Sequence, residues 1–387
     1  MLVAGETSSD QLAAQLADEL RAELGRRCEF APRIFGAGGP KMAAAGVEVC
    51  LDLVKHALIG IPSPKQIAKF TGFRDQLFQL AMTRCPDVVI GVDSFALNGS
   101  LAEKIRTDSG RRQGAFFNWN PRLVQFVSPQ VWASRPKRAQ RLERTHDLLL
   151  SILPFEKEWY SRHAPKLHVN FVGNPLVDRF LGVDRNGGRQ WVAGRVPLVL
   201  LLPGSRRSEL KRHWPVLIEA AKQIHQSIPT RFRAVLPNET LLGVLNEISP
   251  TVPGEGVEIE RVVGGLSGSL SEAALAMAST GTVTVECAWF GVPTVAIYKT
   301  NWTTYQIGKR IVTVPFLSMP NLLAGKSVMP EFVQEDATPA AVAGAALALL
   351  SDHSQWEHSR AQLLETCATL GTPGACRRAA CAISDLI

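Results

Sequence analysis

No apolar stretch approaches the ~20 residues that a membrane-spanning helix needs, which argues against a helical membrane span. The seven cysteines (Cys28, Cys50, Cys85, Cys287, Cys367, Cys376, Cys381) contain no C-x-x-C pair. An odd number in mostly apolar contexts argues against a disulfide frame or a zinc site, and for free thiols in a reducing compartment. The opening Met1-Leu2-Val3-Ala4-Gly5 is too short and uncharged for a signal peptide, so a cytoplasmic location is expected. It is also short for a central strand, which suggests a clipped start or a misassigned initiation site. Neither a Walker lysine motif nor an opening G-x-G-x-x-G occurs, which argues against NTP hydrolysis and dinucleotide redox chemistry. There are no short repeats. The basic residues form no single long run, so no nucleic-acid partner is expected.

What is present describes a globular protein: 387 residues, 46% hydrophobic, 20% charged, net charge +7. That length is large for one core, so two α/β domains are expected, residues 1–182 and 183–387. Gly182 to Pro197, with four glycines, is the linker candidate. The last helices, after Pro339, are free to return to the first domain. The positive balance favours anionic partners.

The chain is organised around Leu198 to Glu209, LVLLLPGSRRSE. Five apolar residues closed by Pro203-Gly204 read as a parallel strand buried on both faces. The helix after it leaves free N–H groups and a positive dipole end, where Arg206 and Arg207 suit a phosphate. An ordinary strand–helix turn with solvated arginines is the plain alternative. The rhythm recurs along the chain. Arg33–Phe35 reads as a strand running into a glycine turn, Gly36–Pro40, and Asp87–Gly91 as a buried strand ending at Asp93. An acid at a strand's C-terminal end is placed to face a ligand, or to cap the next helix. Thr280-Gly281-Thr282 forms another strand-to-helix turn with Glu286 one turn on, suited to a diphosphate and a ribose. Phe70, Phe73 and Phe78, interleaved with Lys65, Lys69 and Arg74, read either as a core face or as an interfacial helix on anionic lipid.

The segments GETSSD (5–10), GVDSFALN (91–98), FVSPQVWASRPKR (126–138), LPFEKEWY (153–160), FVGNPLVD (171–178), LLPGSRRSE (201–209), STGTVTVE (279–286) and SMPNLLAGK (318–326) occur in this order. As a set they closely resemble the lipid-A-disaccharide synthase family. The resemblance implies a GT-B fold: two Rossmann-like domains whose parallel sheets face across a cleft. It implies inverting transfer of 2,3-diacylglucosamine from UDP to 2,3-diacylglucosamine 1-phosphate. Asp93 would be the general base, and Arg206, Thr280, Gly281, Thr282, Glu286 and Asn321 would surround the UDP. Glu6 and Ser8 would face the acceptor or cleft; Trp132, an amphipathic aromatic, reads either as lining the cleft or as a buried core residue. No metal and no cofactor are expected, since UDP-sugar is a substrate. The partners would be UDP-diacylglucosamine, diacylglucosamine 1-phosphate and the cytoplasmic face of the inner membrane, with room for a homodimer. This chain departs from the family pattern at Ser9, usually glycine, at about Ser63, commonly glutamate, and at Asn174, frequently histidine. Gly110–Pro121 also looks longer than usual. The alternatives are another GT-B UDP-sugar transferase or epimerase, and a degenerate nucleotide-binding, membrane-peripheral protein.

Overall fold

The computed structural model describes residues 1–27, 31–56, 64–112, 114, 117–183, 196–250 and 257–387. The chain divides into two compact units, Met1–Leu181 with Leu370–Ile387, and Gly182–Thr369. Most of the Gly182–Pro197 linker and the Ser63 position lie outside the described residues.

The first unit is built on strands β1 (Leu2–Ala4), β2 (Phe35–Gly38), β3 (Glu48–Asp52), β4 (Val88–Val92), β5 (Arg122–Phe126), β6 (Leu148–Ser151) and β7 (His168–Phe171). They pair in the order β3-β2-β1-β4-β5-β6-β7, every pair parallel. Alternate residues feed opposite faces, as the period of a strand requires. Leu2, Ile90, Val92, Val124 and Phe126 join Leu16 and Leu20 on one side; Val3, Val89 and Leu123 join Leu77, Phe78 and Leu101 on the other. Both faces are therefore covered, which is why these strands read as continuous apolar runs.

The second unit repeats the plan with β8 (Leu198–Leu202), β9 (Arg231–Leu236), β10 (Ile259–Val263), β11 (Leu275–Ser279), β12 (Thr294–Tyr298) and β13 (Glu331–Val333), ordered β10-β9-β8-β11-β12-β13 and parallel. Its core sets Val199, Leu201 and Met277 against Trp214, Leu217 and Ile224 of the helix Arg207–Ser227.

Strand order reverses between β1 and β4 in the first sheet, and between β8 and β11 in the second. Ligands of open α/β sheets bind at such reversals, beyond the C-terminal strand ends. The four turns that leave these strands are Gly5–Ser9, Asp93–Ser94, Pro203–Arg206 and Thr280–Gly281, which are the turns the sequence singles out.

Two expectations are corrected here. The glycines at 36 to 38 lie inside β2 rather than in the turn expected after it. A Cβ at Gly36 would stand 1.8 Å from the Leu2 carbonyl oxygen, so only glycine lets β2 pair with β1. The helix that follows, Pro40–Ala44, already has an anion at its start. The Asp10 carboxylate accepts the N–H groups of Gly39 (2.7 Å), Lys41 (2.9 Å) and Met42 (3.2 Å). The membrane reading of the helix Pro64–Arg84 changes at Phe78; Phe70 and Phe73 stay half-buried. Phe78 is buried in the core beside Leu77, with Phe70 and Phe73 packed against the same cluster. Arg74 is paired with Asp75 at 2.8 Å. The side chains of Lys65 and Lys69 lie outside the described residues.

Candidate active site

In the first unit the acid stands on strained backbone. Asp93 and Ser94 have φ of +54° and +39°, and Val127, at the end of the neighbouring β5, has φ of +69°. Such angles are uncommon for any residue with a Cβ and anomalous for a β-branched one. They persist because hydrogen bonds over-determine them. The Asp93 N–H donates to the Phe126 carbonyl at 2.8 Å. Its own carbonyl accepts from Asn98 Nδ2 and Gln125 Nε2, each at 2.9 Å. Gln125 Nε2 also donates to the Val127 carbonyl at 3.2 Å, so one buried amide ties both strained turns together. None of these bonds uses the Asp93 carboxylate, which stays exposed at the strand end. The protein mass around it raises its pKa above the usual aspartate range, against a smaller opposing pull from the Ser94 N–H.

Beside it, Gly5 opens the turn after β1. A Cβ there would come within 3.0 Å of Ser94 Oγ, so the two turns touch. Glu6 and Ser8 are exposed on this turn. Ser9 is buried, in helical conformation, with its hydroxyl donating to the Glu6 carbonyl at 2.9 Å. A serine therefore fits where the family pattern has glycine. Asn174 is likewise built in: its side chain accepts the Leu176 N–H at 3.0 Å and caps the helix Pro175–Arg179.

Trp132 does not present its ring to an acceptor. It is buried, packed edge-on against Phe155, and its indole N–H donates to Glu156 Oε1 at 3.0 Å. Glu156 is fully buried and its pKa is pushed up to about 7, because burial outweighs the hydrogen bonds from Trp132, the Leu153 N–H and Ser128. The SPQVWA segment thus anchors the loop after β5 from below.

In the second unit, Arg206 caps nothing with its side chain and is well exposed, pairing with Glu209 at 2.9 Å. Gly204 has φ of +118°, and the Glu209 carboxylate folds back over it to accept the Ser205 N–H at 3.0 Å. Across the reversal, Gly281 (φ +134°) opens the helix Thr282–Trp289, with no side-chain cap and no atom within 4 Å of where its Cβ would be. Thr280 is half-buried, while Gly281 and Thr282 are exposed. Glu286, one turn on, is only 7% exposed.

Asn321 is fully buried. Its Oδ1 accepts the N–H groups of Val328 (2.7 Å) and Met329 (3.0 Å), and its Nδ2 donates to the Met329 carbonyl (2.9 Å) and to Glu331 (2.7 Å). All four of its polar capacities are used within the chain. This corrects the expectation of a direct nucleotide contact: the asparagine shapes its loop.

Sequence reasoning missed several residues. Gln125 lies in a buried strand and Asn98 in a buried helix face; both hold Asp93. A glutamine inside the run Leu123–Val127 is the signal, since a buried amide must be hydrogen-bonded. His213 is buried, accepts the Lys299 N–H through Nε2 at 3.0 Å and so donates Nδ1–H to the Pro203 carbonyl at 2.7 Å. Burial holds it below the usual histidine range and neutral. It joins the turn after β8 to the one after β12. Among the described residues no group of three His, Cys, Asp or Glu is placed to hold a metal ion.

A family model described as lipid-A-disaccharide synthetase matches residues 1–386. The chain belongs to this family. Curated relatives named lipid-A-disaccharide synthase include those of Geobacter sulfurreducens, 32% identical over 100% of this chain and 97% of that one, and of Nitrosococcus oceani, 35% identical over 91% and 87%. Of solved structures, Acinetobacter baumannii MurG covers 100% of this chain and 98% of its own, at a TM-score of 0.61 and 14% identity. A structure of S. aureus MnaA with UDP reaches a TM-score of 0.59, covering 100% and 96%, also at 14% identity. At that identity these two speak to the fold alone, which is GT-B. Membership in the family makes the protein a glycosyltransferase of lipid A biosynthesis.

Proposed function

We propose that the enzyme condenses UDP-2,3-diacylglucosamine with 2,3-diacylglucosamine 1-phosphate, with inversion, giving the β-1,6 disaccharide 1-phosphate and UDP. The observation that carries this reading is Asp93: a carboxylate at the topological reversal, strained, held by its backbone, left open at its side chain and shifted toward higher pKa. A base with a raised pKa takes a hydroxyl proton more readily than an ordinary aspartate. Asp93 accepts the proton of the acceptor 6-hydroxyl as its oxygen bonds to the anomeric carbon. The bond from that carbon to the UDP oxygen breaks on the opposite side, and the electron pair leaves with the diphosphate. Arg206, the Thr282 helix start and the open Gly281 turn offset that charge. No protein side chain need be covalently modified, and a single displacement inverts the centre.

The enzyme would work at the cytoplasmic face of the inner membrane, where such amphiphiles lie. Among the described residues no helix is long and apolar enough to cross a membrane. The test is incubation with both acylated substrates, followed by detection of disaccharide and UDP. Disaccharide from the parent and none from Asp93→Asn supports the reading. Turnover of UDP-GlcNAc alone points to a different UDP-sugar enzyme, and UDP binding without turnover to a protein that has lost its chemistry.

A further inference from the structure

We propose that the helix Trp302–Ile311 of the second unit lies on an anionic lipid surface and docks that unit to the membrane. The helix follows β12 and leaves the same sheet edge that carries Pro203–Arg206 and Thr280–Gly281. It is capped by Asn301, whose side chain accepts the Thr304 N–H at 2.6 Å. Trp302 is 68% exposed, the most exposed large apolar side chain among the described residues, and Val312, just past the helix, is 37% exposed. Spacing of three and four places Trp302, half-buried Tyr305 and exposed Lys309 on one face, with exposed Arg310 beside them.

Charge identifies the occupant. Between Glu286 and Glu331 the sequence has no carboxylate side chain, yet it holds Lys299, Lys309, Arg310 and Lys326. Lys309, Arg310 and Lys326 are exposed. Other cations, such as Arg84 and Arg233, pair with Glu48 and Glu260. Lys299 donates to the Gln334 and Ala337 carbonyls, while among the described residues Lys309, Arg310 and Lys326 have no ion pair. An exposed indole belongs at the depth of lipid headgroups, and adjacent cations reach the phosphates. The helix is too short and polar to span, so it lies flat. The surface stands on these residues, and its purpose rests on the acylated-substrate reading above.

The test is co-sedimentation of the full chain with vesicles of pure phosphatidylcholine and of equal parts phosphatidylcholine and phosphatidylglycerol. The parent should bind the anionic vesicles more tightly. Lys309→Gln with Arg310→Gln should weaken that binding about twenty-five-fold, at roughly fivefold per cation. Tryptophan quenching by brominated lipid should be lost in Trp302→Phe, which keeps an aromatic ring. Quenching unchanged in Trp302→Phe, or binding unchanged in the double variant, overturns the proposal. So does loss of binding only on replacing Phe70 and Phe73 by serine. With water-soluble short-acyl substrates the Trp302, Lys309 and Arg310 variants should turn over like the parent. If no protein turns over, the parent included, the transferase reading fails while the vesicle result still decides the surface.

Discussion

Replacing Asp93 by asparagine separates chemistry from architecture more cleanly than any other change. The strained backbone is held by the Phe126 carbonyl and by the amides of Asn98 and Gln125, none of which touches the carboxylate. Asparagine has the same shape and tolerates φ of +54° as well as aspartate does. The folded state should therefore survive. It should be at least as stable at pH 7, because an acid whose pKa is raised by folding carries its charge at a penalty above that pKa. Turnover should fall by about 10²–10⁴, the usual worth of a general base, or roughly 3–5 kcal/mol of barrier. The assay is initial-rate disaccharide formation beside a melting curve. The parent's rate should also drop on the acid side with an apparent pKa above that of an ordinary aspartate, ~3.9, and this limb should vanish from the residual activity of the variant. Asp93→Ala is the control for strain. Alanine is poorly suited to the left-handed region and should lose about 1–2 kcal/mol of stability as well as the activity. Asp93→Asn turning over within tenfold of the parent would place the base elsewhere. Asp93→Asn melting well below the parent would make the residue structural.

Arg206→Ala should leave the melting temperature almost unchanged, since its one exposed ion pair is worth little, while raising the KM for UDP-sugar about 10- to 100-fold. Asn321→Ala should do the reverse first: it strands the buried Val328 and Met329 N–H groups, so a loss of about 2–5 kcal/mol in thermal unfolding should accompany any loss of UDP binding. Glu156 binds its proton more tightly folded, at about 7, than unfolded, so its contribution to stability is full below the ordinary glutamate pKa and is lost as pH rises through about 7. Melting curves from pH 5 to 8 should show that decline, by up to about 3 kcal/mol, and Glu156→Gln should flatten it; an unchanged slope would refute the assignment.

The central strands were legible because strands buried on both faces must be apolar throughout, as Leu198–Leu202 is. The edge strands β3 and β13 were not, being short, half-exposed and mixed in composition. Asp93 was legible from its place after a buried run, whereas its strain was invisible, because the bonds that impose it come from Gln125, over thirty residues away. Periodicity showed that the helix Pro64–Arg84 has an apolar stripe, but a stripe does not say whether core or lipid covers it. The sheet covers Leu77 and Phe78, while Phe70 and Phe73 are only half-buried against the same cluster. In the helix Trp302–Ile311 one tryptophan among threonines makes too faint a stripe to single out a face.

The chain's own carboxylates narrow where a foreign anion can sit. Asp10 occupies the start of the helix Pro40–Ala44. Glu331 accepts the Leu317 and Ser318 N–H groups, each at 2.9 Å, before the helix Met319–Ala324. Asp178 accepts the Ala375 N–H at 3.0 Å and that of Gly374, at the start of the helix Ala375–Ser384. Each takes a seat that a phosphate could otherwise use. The helix Thr282–Trp289 lies at the strand-order reversal with no side-chain cap and open space above Gly281. Under the proposed function a diphosphate arriving there displaces no carboxylate. At the facing turn of the same sheet it meets Arg206, already paired with Glu209. Under the same proposal a doubly charged diphosphate would outcompete the single, half-buried Glu209 carboxylate for that guanidinium, so Arg206 would change partner on binding while Glu209 keeps the Ser205 N–H.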